Sequence, residues 1–308
     1  MAATVQSIAL ATKYAAILDE VYKRESLTTV LDTPSDLVMF DGANAAKIFK
    51  TSMDGLADYS RNNGYAKGAV VGTWETHTLG YDRGRSFLVD TMDNEETLDL
   101  AFGTLASEFV RTKEVPEGDA YTFAKIASTT GIQAATAANF ANITNVLTAV
   151  DTAQAALDDK EVPMEGRVLF VSTQVYYALK DKLTRMIQNG DQVINRNFRY
   201  LDDTLVIPVP SARFNTAIEL LDGTSNGEEA GGYSNVPGTG SSYAINFMLV
   251  HPSAIIKVEK HHPLRIFSPE VVQEADAWKF NARIYGDVFV KENKKDGIYL
   301  HRAASANS

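Results

Sequence analysis

Gly223, Ser225 and Gly227 match the G-x-S-x-G pattern, in which a serine nucleophile is exposed at a sharp turn between a strand and a helix. The segment that follows, EEAGGYSNVPGTG at 228–240, is too rich in glycine to begin a helix. No acid and histidine partners stand in a recognisable order either. The pattern therefore favours a flexible surface loop over a hydrolase. The Gly-Thr-Gly run at 238–240 predicts a turn, because the Lys-Ser/Thr ending of a phosphate-binding loop does not follow it.

Metal and acid/base chemistry have weak support. The chain has five histidines, and none stands in an H-E-x-x-H or similar spacing. His261 and His262 are adjacent, so on a strand their side chains point to opposite faces and cannot readily hold one metal ion. The carboxylates between Asp90 and Glu96 could form a cation site or an acid/base pair, but the start of a helix explains them better. We predict no metal, no cofactor and no enzymatic activity. A hydrolase-type enzyme that uses Ser225 or these carboxylates is the alternative from another class.

Arginine and aromatic residues cluster between 65 and 87. Arg83 and Arg85 could contact phosphate, but the pair is too small for a nucleic-acid stripe, so salt bridges to another subunit are the preferred interpretation. The aromatic side chains could stack on sugars or bases, and packing within the sheet or against a neighbour is favoured over that. The residues predicted to contact another subunit are Tyr65, Lys67, Trp74, Tyr81, Arg83, Arg85 and Phe87.

Composition excludes several classes of protein. The chain has 308 residues and 45% hydrophobic content, which is typical of a folded globular protein. The net charge of −10 argues against a dedicated nucleic-acid binder, which needs a clustered basic surface. The absence of cysteine excludes disulfides and thiolate chemistry. No signal peptide is expected at the first residues, and no apolar run is long enough to predict a membrane-spanning helix.

Residues 57–96 alternate like a long two-stranded arm, with glycines and aromatics in a strand-and-turn pattern. The arm has too little apolar surface for a core, and an isolated hairpin is marginally stable in water, so it needs contacts from outside itself. A helix follows, with Asp93 as its N-cap and Glu96 in the capping-box position. Pro116 predicts an interruption or bend near 113–116. The apolar residues predicted to share one face of this helix are Leu98, Phe102, Leu105 and Phe109.

The second half of the chain combines helices and strands. The composition of 130–141 is that of a linker, which predicts a domain boundary near residue 131. A helical period over 143–157, a buried strand at 168–171 and a second helix over 175–187 predict an α/β or α+β core. The run LVIPVP at 205–210 predicts an edge strand that tolerates proline.

The last third contains a long loop and then strands. The glycine-rich segment 222–242 predicts an exposed loop of unusual length for a compact domain. Four apolar or alternating runs between 245 and 290 predict strands. Because these strands lie far along the chain from the helix at 95–128, we expect a discontinuous domain into which residues 131–250 are inserted.

Four segments in this order carry a resemblance to a known family: LADYSRNNGYAKGAVVGTWETHTLGYDRGRSFLVDTMDNEET at 56–97, VPEGDAYTFAKIA at 115–127, RVLFVSTQVYYALK at 167–180 and RYLDDTLVIPVPSARF at 199–214. The chain resembles the major capsid proteins of tailed double-stranded DNA bacteriophages, which have the Hong Kong 97-type fold. The resemblance spans most of the chain, and it rests on the order of the segments together.

The resemblance implies an α+β fold with an N-terminal arm, an extended β-hairpin loop, a peripheral domain built on a long spine helix, and an inserted axial α/β domain. The implied boundaries are 1–36 for the arm, 37–94 for a strand and the extended loop, 95–130 for the spine helix, 131–250 for the axial domain, and 251–308 for the peripheral strands and the C-terminal tail. The glycine-rich loop then lies on the axial domain, near capsomer centres or the outer surface. Its predicted site residues are Gly231, Gly232 and Tyr233.

The implied function is structural. A major capsid protein self-assembles into pentamers and hexamers of an icosahedral shell that encloses phage DNA without sequence-specific binding, with no membrane involved. The expected location is the virion, after assembly in the bacterial host cytoplasm. A portal is an expected partner. Some members carry an N-terminal scaffolding segment that a protease removes, and this chain begins close to its arm, so either a separate scaffolding protein is expected or the segment has already been lost. Lys67 is a candidate for the cross-link that some members form, but no asparagine partner is identifiable. An encapsulin-like nanocompartment shell protein is the alternative within the same fold.

Overall fold

The computed structural model describes residues 26–33, 38–42, 44–62, 64–91, 108–140, 145–186, 199–273 and 275–307. Several predictions from the sequence lie outside these residues. They are most of the N-terminal arm, the capping residues Asp93 and Glu96, and the first part of the predicted spine helix.

Three strands form a sheet that carries a long hairpin. Strand β1 covers Met39–Asp41, β2 covers Ala45–Met53 and β3 covers Val70–Thr78. Strand β2 is central and pairs antiparallel with both neighbours, with Ala45 opposite Thr78 and Met53 opposite Val70. The β2–β3 hairpin therefore extends from residue 45 to residue 78.

The next strand, β4 at Tyr81–Asp90, belongs to a different sheet. It pairs along its whole length with β14 at Ala277–Val290, which pairs on its other side with β12 at Ile255–His261 and β13 at Leu264–Phe267. The prediction that 57–96 form one arm is therefore wrong for its second half. Alternation predicts that a segment is a strand, but it does not say which strand will be its partner.

A helix crosses the four-stranded sheet. Within the described residues it begins at Glu108, passes through a π-helical turn at Val110–Glu114 and continues as α1 at Val115–Ala127. The Val115 N–H bonds to the carbonyl of Val110, five residues back. Pro116 has no N–H, so it cannot donate the i→i−4 hydrogen bond of an α-helix. The π-helical turn lies directly before the proline, where this hydrogen bond would be missing. The predicted interruption near 113–116 is thus a local change of winding, because the backbone stays helical through Val115.

A six-stranded sheet forms the second part of the molecule, in the order β5, β15, β11, β6, β8, β7. Strands β6 and β8 are parallel, and α3 directly follows β6 in the chain. The sequence assigns 251–308 to the peripheral strands as one block, whereas β15 pairs with β11 in this sheet. The bounds are β5 Gln133–Ala134, α2 Val146–Asp158, β6 Val168–Ser172, α3 Thr173–Met186, β7 Tyr200–Leu201, β8 Thr204–Val209, β11 Tyr243–Val250 and β15 Ile298–Ala306.

Helix α1 also connects the two large sheets through the core. Phe123 and Ile126, on its inner side, pack in one cluster with Phe170 and Met248 of the six-stranded sheet and with Val288 of β14. The opposite face of the six-stranded sheet packs against α2 and α3, as the predicted strand and helices require. Between β8 and β11, β9 at Glu219–Leu221 and β10 at Gly232–Ser234 form a short hairpin. The segment predicted as a loop at 222–242 therefore contains one strand of this hairpin, and β9 directly precedes it.

Candidate assembly surfaces

The outer part of the β2–β3 hairpin is exposed on both faces. From residue 51 to residue 74 every described residue is exposed except Ser60 and Gly64, which are half-buried. Two-stranded hairpins without a packed face are marginal in water. This segment therefore has the exposure expected of a surface that another molecule covers.

The base of the hairpin is anchored on the body of the subunit. Ala46 is fully buried, and it lies with Ile256 and Phe289 in a small core cluster. The His77 ring stacks on Phe289 with centroids 4.4 Å apart. Lys50 Nζ lies 2.5 Å from a Glu292 carboxylate oxygen. One face of the hairpin is thus fixed at its base while the rest extends away.

The opposite face carries large apolar side chains at two of its cross-strand pairs. Phe49 is directly opposite Trp74, and Met53 is directly opposite Val70. Their exposed fractions are 55%, 52%, 70% and 74% in that order. We call these four residues the apolar stripe. The Phe49 ring also covers Gly72, where an added Cβ would lie 2.7 Å from it. Contiguous exposed apolar surface of this kind marks an interaction site in soluble proteins.

The tip of the hairpin contains two of the predicted contact residues. The Tyr65 ring packs on the Tyr59 ring with centroids 5.0 Å apart, and both side chains are exposed. Lys67 is exposed as well. The two ends of the tip are joined because the Ala69 N–H donates to an Asp54 carboxylate oxygen at 2.7 Å. Tyr65, Lys67 and Trp74 all lie on the part of the hairpin that the body of the subunit leaves uncovered.

The predicted contact residues on β4 have partners inside the chain instead. The Tyr81 side chain is buried, its ring lies 4.4 Å from that of Tyr121, and its hydroxyl donates to Glu117 at 3.2 Å. Burial, together with the Glu117 carboxylate, raises the pKa of Tyr81. Phe87 packs on Phe109 with ring centroids 4.9 Å apart. These side chains fasten the helix to the sheet.

Arg83 joins three parts of the fold. Its Nε donates to Glu117 at 2.6 Å, its Nη1 to the carbonyl of Leu221 at 2.8 Å, and its Nη2 to the carbonyl of Gly232 at 3.0 Å. Leu221 and Gly232 are paired residues of the β9–β10 hairpin. Arg85 donates to the carbonyl of Glu229 in the same hairpin at 3.1 Å. The two arginines predicted to pair with another subunit therefore bind the glycine-rich segment of their own chain.

A cavity of about 600 Å³ lies at this junction, between β4, the helix and the β9–β10 hairpin. It brings together two groups of predicted site residues that lie far apart in the sequence. The predicted residues that line it are Tyr81, Arg83, Arg85, Phe87, Gly231, Gly232 and Tyr233.

Asp119 is a key residue that the sequence does not reveal. Its carboxylate is 1% exposed and accepts hydrogen bonds from the Ser26 and Thr28 hydroxyls and from the Leu27 and Thr28 N–H groups. Arg213 Nη1 lies 3.2 Å away. These contacts fix the start of the described chain on α1. No sequence pattern marks the residue, because an acid within a helix is common and its partners lie more than 90 residues away.

The chemical candidates have structural partners. The Ser225 hydroxyl donates to Asp222 at 2.5 Å in an exposed turn, and Asp222 also accepts from the Ser225 N–H, so the pKa of this carboxyl is lowered mainly by the serine. His262 Nε2 lies 2.8 Å from Glu114 on the helix. Among the described residues no group of three histidines or carboxylates could hold a metal ion. No helix in the described part of the chain is long and apolar enough to cross a membrane.

No family model and no curated protein matches the chain. Solved structures do match it. The mature capsid of bacteriophage PhiM1 has a TM-score of 0.59 at 13% identity, covering 86% of this chain and 83% of that one. The capsid of cyanophage P-SCSP1u has a TM-score of 0.57 at 12% identity, covering 89% and 87%. The chain has the Hong Kong 97-like capsid fold. A virus-like particle from Pyrococcus furiosus is also similar, with a TM-score of 0.54 at 14% identity over 95% of this chain and 99% of that one.

The exposed β2–β3 hairpin lies within the segment predicted as the extended loop, and α1 lies within the segment predicted as the spine helix. The six-stranded sheet contains most of the strands from the segment predicted to be axial, between residues 131 and 250. The four-stranded sheet combines β4 with strands from the segment predicted to be peripheral. The predicted α+β class with a Hong Kong 97-like fold is confirmed.

Proposed function

We propose that the chain is the major capsid protein of a tailed bacteriophage, which self-assembles into pentamers and hexamers of an icosahedral shell around double-stranded DNA. The observation that carries the proposal is the exposed hairpin with its apolar stripe, on a subunit with a capsid fold. In a monomer this apolar surface would be exposed to water. A second copy of the chain would bury it.

The physical reasoning supports assembly through many modest contacts. A standard protein interface buries roughly 1,600 Å² in total, and an arm that lies across a neighbour can supply a large share of that area. Each contact stays weak enough to dissociate during assembly, and the closed shell is stable because the contacts are many. The buried links between α1 and β4 keep the body of each subunit intact while the hairpin engages its neighbour.

The proposed partners follow from the charge of the chain and from its fold. The net charge of −10 suits a shell that contains DNA without gripping it. We propose a separate scaffolding protein and a portal as assembly partners, and assembly in the host cytoplasm. The described contacts hold the candidate residues in structural roles, which supports a structural protein over an enzyme.

The test is assembly of the purified chain. Electron microscopy and sedimentation of the full-length protein should show closed shells of uniform diameter. A protein that remains monomeric at high concentration and with added scaffolding protein would contradict the proposal. For the alternative enzyme, an activity that persisted in the monomer and disappeared in Ser225→Ala would be required.

The contents of the particle separate the two shell hypotheses. The fold is shared with a virus-like particle from Pyrococcus furiosus as well as with phage capsids, so the fold alone does not separate a phage head from a nanocompartment of encapsulin type. Particles isolated from the natural source should contain nuclease-resistant double-stranded DNA if the chain is a phage capsid protein. Particles that contain a folded enzyme and no DNA would establish the nanocompartment instead.

A further inference from the structure

The segment around the β9–β10 hairpin has no hydrophobic core of its own. Between Asn215 and Ser242, both of which are buried, no residue is buried. The hairpin has three paired residues in each strand, which is too little for independent stability. Contacts with the rest of the subunit must therefore hold it in place.

Two groups of contacts do so at different ends. Near its base, the Tyr233 hydroxyl donates to the carbonyl of Ala212 and the Asn307 amide donates to the carbonyl of Asn235. Toward its turn, the hairpin accepts hydrogen bonds from Arg83 and Arg85 on β4. The arginines thus connect the six-stranded part of the molecule, from which this hairpin extends, to the four-stranded sheet.

The two arginines differ in how firmly they are bound. Arg83 is partly buried and makes a charge-assisted pair with Glu117, which is also largely buried, so breaking it would leave a carboxylate uncompensated. Arg85 is exposed, and its hydrogen bond goes to a backbone carbonyl. Breaking that hydrogen bond leaves no buried charge unpaired, since water can solvate both groups.

The hairpin is shaped around the Arg85 guanidinium. Gly223 has φ +75° and Gly231 has φ +64°, and a Cβ at these positions would lie 2.5 Å and 3.3 Å from Arg85 Nη1. Positive φ and this close approach both favour glycine. The guanidinium therefore lies between two glycines on either side of the turn. The cavity of about 600 Å³ beside it leaves space into which the hairpin can move.

We propose that Arg85 is a releasable latch that holds the β9–β10 hairpin against β4, while Arg83 is the pivot that stays bound. This rests on the proposed shell function, because a shell with pentamers and hexamers requires one chain to hold its axial and peripheral parts at more than one angle. Release of Arg85 lets the turn of the hairpin move without loss of the Arg83–Glu117 pair. The latch biases the subunit toward one of the two arrangements.

The latch is tested by hydrogen exchange on unassembled subunits of Arg85→Ala. The turn amides of Glu228 and Gly231, which donate to the carbonyls of Ser225 and Glu228, should lose protection at least tenfold. The amides of the paired residues 219–221 and 232–234, which Arg83 still holds, and those of β6 should keep theirs. Arg265→Ala is the matched control, because Arg265 is an exposed arginine on β13 that does not line the junction. It should leave both sets of amides unchanged. Unchanged protection of the turn amides in Arg85→Ala would overturn the latch.

Assembly of the same variant tests its role. Arg85→Ala should form shells with a broader distribution of diameters than the wild type, measured by electron microscopy. Faster exchange together with shells identical to the wild type would overturn the role in assembly. Absence of shells from the wild-type protein would instead contradict the proposed function, so the two failures are distinguishable.

Discussion

Helix α1 and the β2–β3 hairpin differ in where their side chains find partners. The buried carboxylates on and around α1 have partners within the chain, since Asp119, Glu117 and Asp287 accept hydrogen bonds from other residues of the same chain. The hairpin instead has apolar side chains that the described part of the chain leaves exposed. Buried charged contacts hold the body of the subunit together, whereas an exposed apolar arm is suited to binding a partner that arrives later.

Removing Asp119 should have the largest effect. Asp119→Ala leaves Arg213 without its carboxylate and the Leu27 and Thr28 N–H groups without an acceptor. We expect a loss of about 3–5 kcal/mol in the free energy of unfolding, as for other broken buried ion pairs. Urea unfolding of the subunit measures it. Asp151→Ala, which removes an exposed acid from α2, is the control and should change stability by less than about 0.5 kcal/mol. Equal effects of the two variants would contradict the role of Asp119 in fixing the start of the described chain on α1.

Shortening the hairpin should abolish assembly and spare the body. Residues 54–69 are replaced by Asn-Gly, which suits a tight turn between Met53 and Val70. Stability should change by less than about 1 kcal/mol, because the removed residues are exposed. No shells should be visible by electron microscopy. A deletion that reached residue 88 would be a poor test, since it would remove β4 from the sheet. Intact shells from the short variant would show that the arm is dispensable.

The contrast between the two regions also separates what the sequence predicts from what it does not. Alternation and helical period identify β2, β11, β14 and α2 because each pattern is local. The partner of β4 is not local: its cross-strand residues on β14 are nearly 200 positions away. A periodic pattern carries no information about that distance.

The same limit applies to individual charges. Arg83 and Glu117 are 34 residues apart, so the sequence shows an arginine near glycines but not the acid that binds it. The sequence therefore favours a partner in another subunit, whereas the structure shows that both arginines also have partners in their own chain. For Tyr65, Lys67 and Trp74 the placement outside the body agrees with the prediction of contact, which assembly must still test.

Polar substitutions in the apolar stripe should weaken assembly without unfolding the subunit. In Met53→Ser with Val70→Ser, each lost side chain removes up to about 1.5–3 kcal/mol of burial at an interface. The protein concentration needed for shells should rise at least tenfold, as measured by sedimentation. Val71→Ser is the control, because Val71 is also exposed, at 53%, but its side chain points to the other face of the hairpin. An equal effect of Val71→Ser would show that the stripe is not the contact face.

Trp74 offers a spectroscopic measure of the same contact. The chain has two tryptophans, and Trp278 is half-buried in the four-stranded sheet, so the measurement uses a Trp278→Phe background. The emission of Trp74 should shift to shorter wavelength when shells form, because the ring passes from water to an apolar interface. Emission that does not change on assembly would place Trp74 outside the contact.

The smallest expected effect is a dependence of stability on pH that belongs to the body. Burial lowers the pKa of His251, with Lys294 adding to the effect, and burial lowers the pKa of His301. An unfolded histidine binds a proton near its ordinary pKa of 6.5, so below that pH the unfolded state takes up protons that the folded state does not. Stability should be fully present above pH 6.5 and should fall as the pH drops.

The variant His251→Asn isolates one of these groups. His251 Nδ1 accepts from the Ser253 N–H at 3.2 Å, and an asparagine oxygen can replace it because asparagine is a good cap residue. Urea unfolding at pH 7.5 and pH 5.5 should then show a smaller loss than in the wild type, with stability at pH 7.5 nearly the same. The short-hairpin variant should keep the wild-type pH dependence, since both histidines lie in the body. A pH dependence that disappeared with the hairpin would assign the titrating groups to the arm. It would then remove the distinction between a body whose buried polar groups are paired within the chain and an arm that awaits its partner.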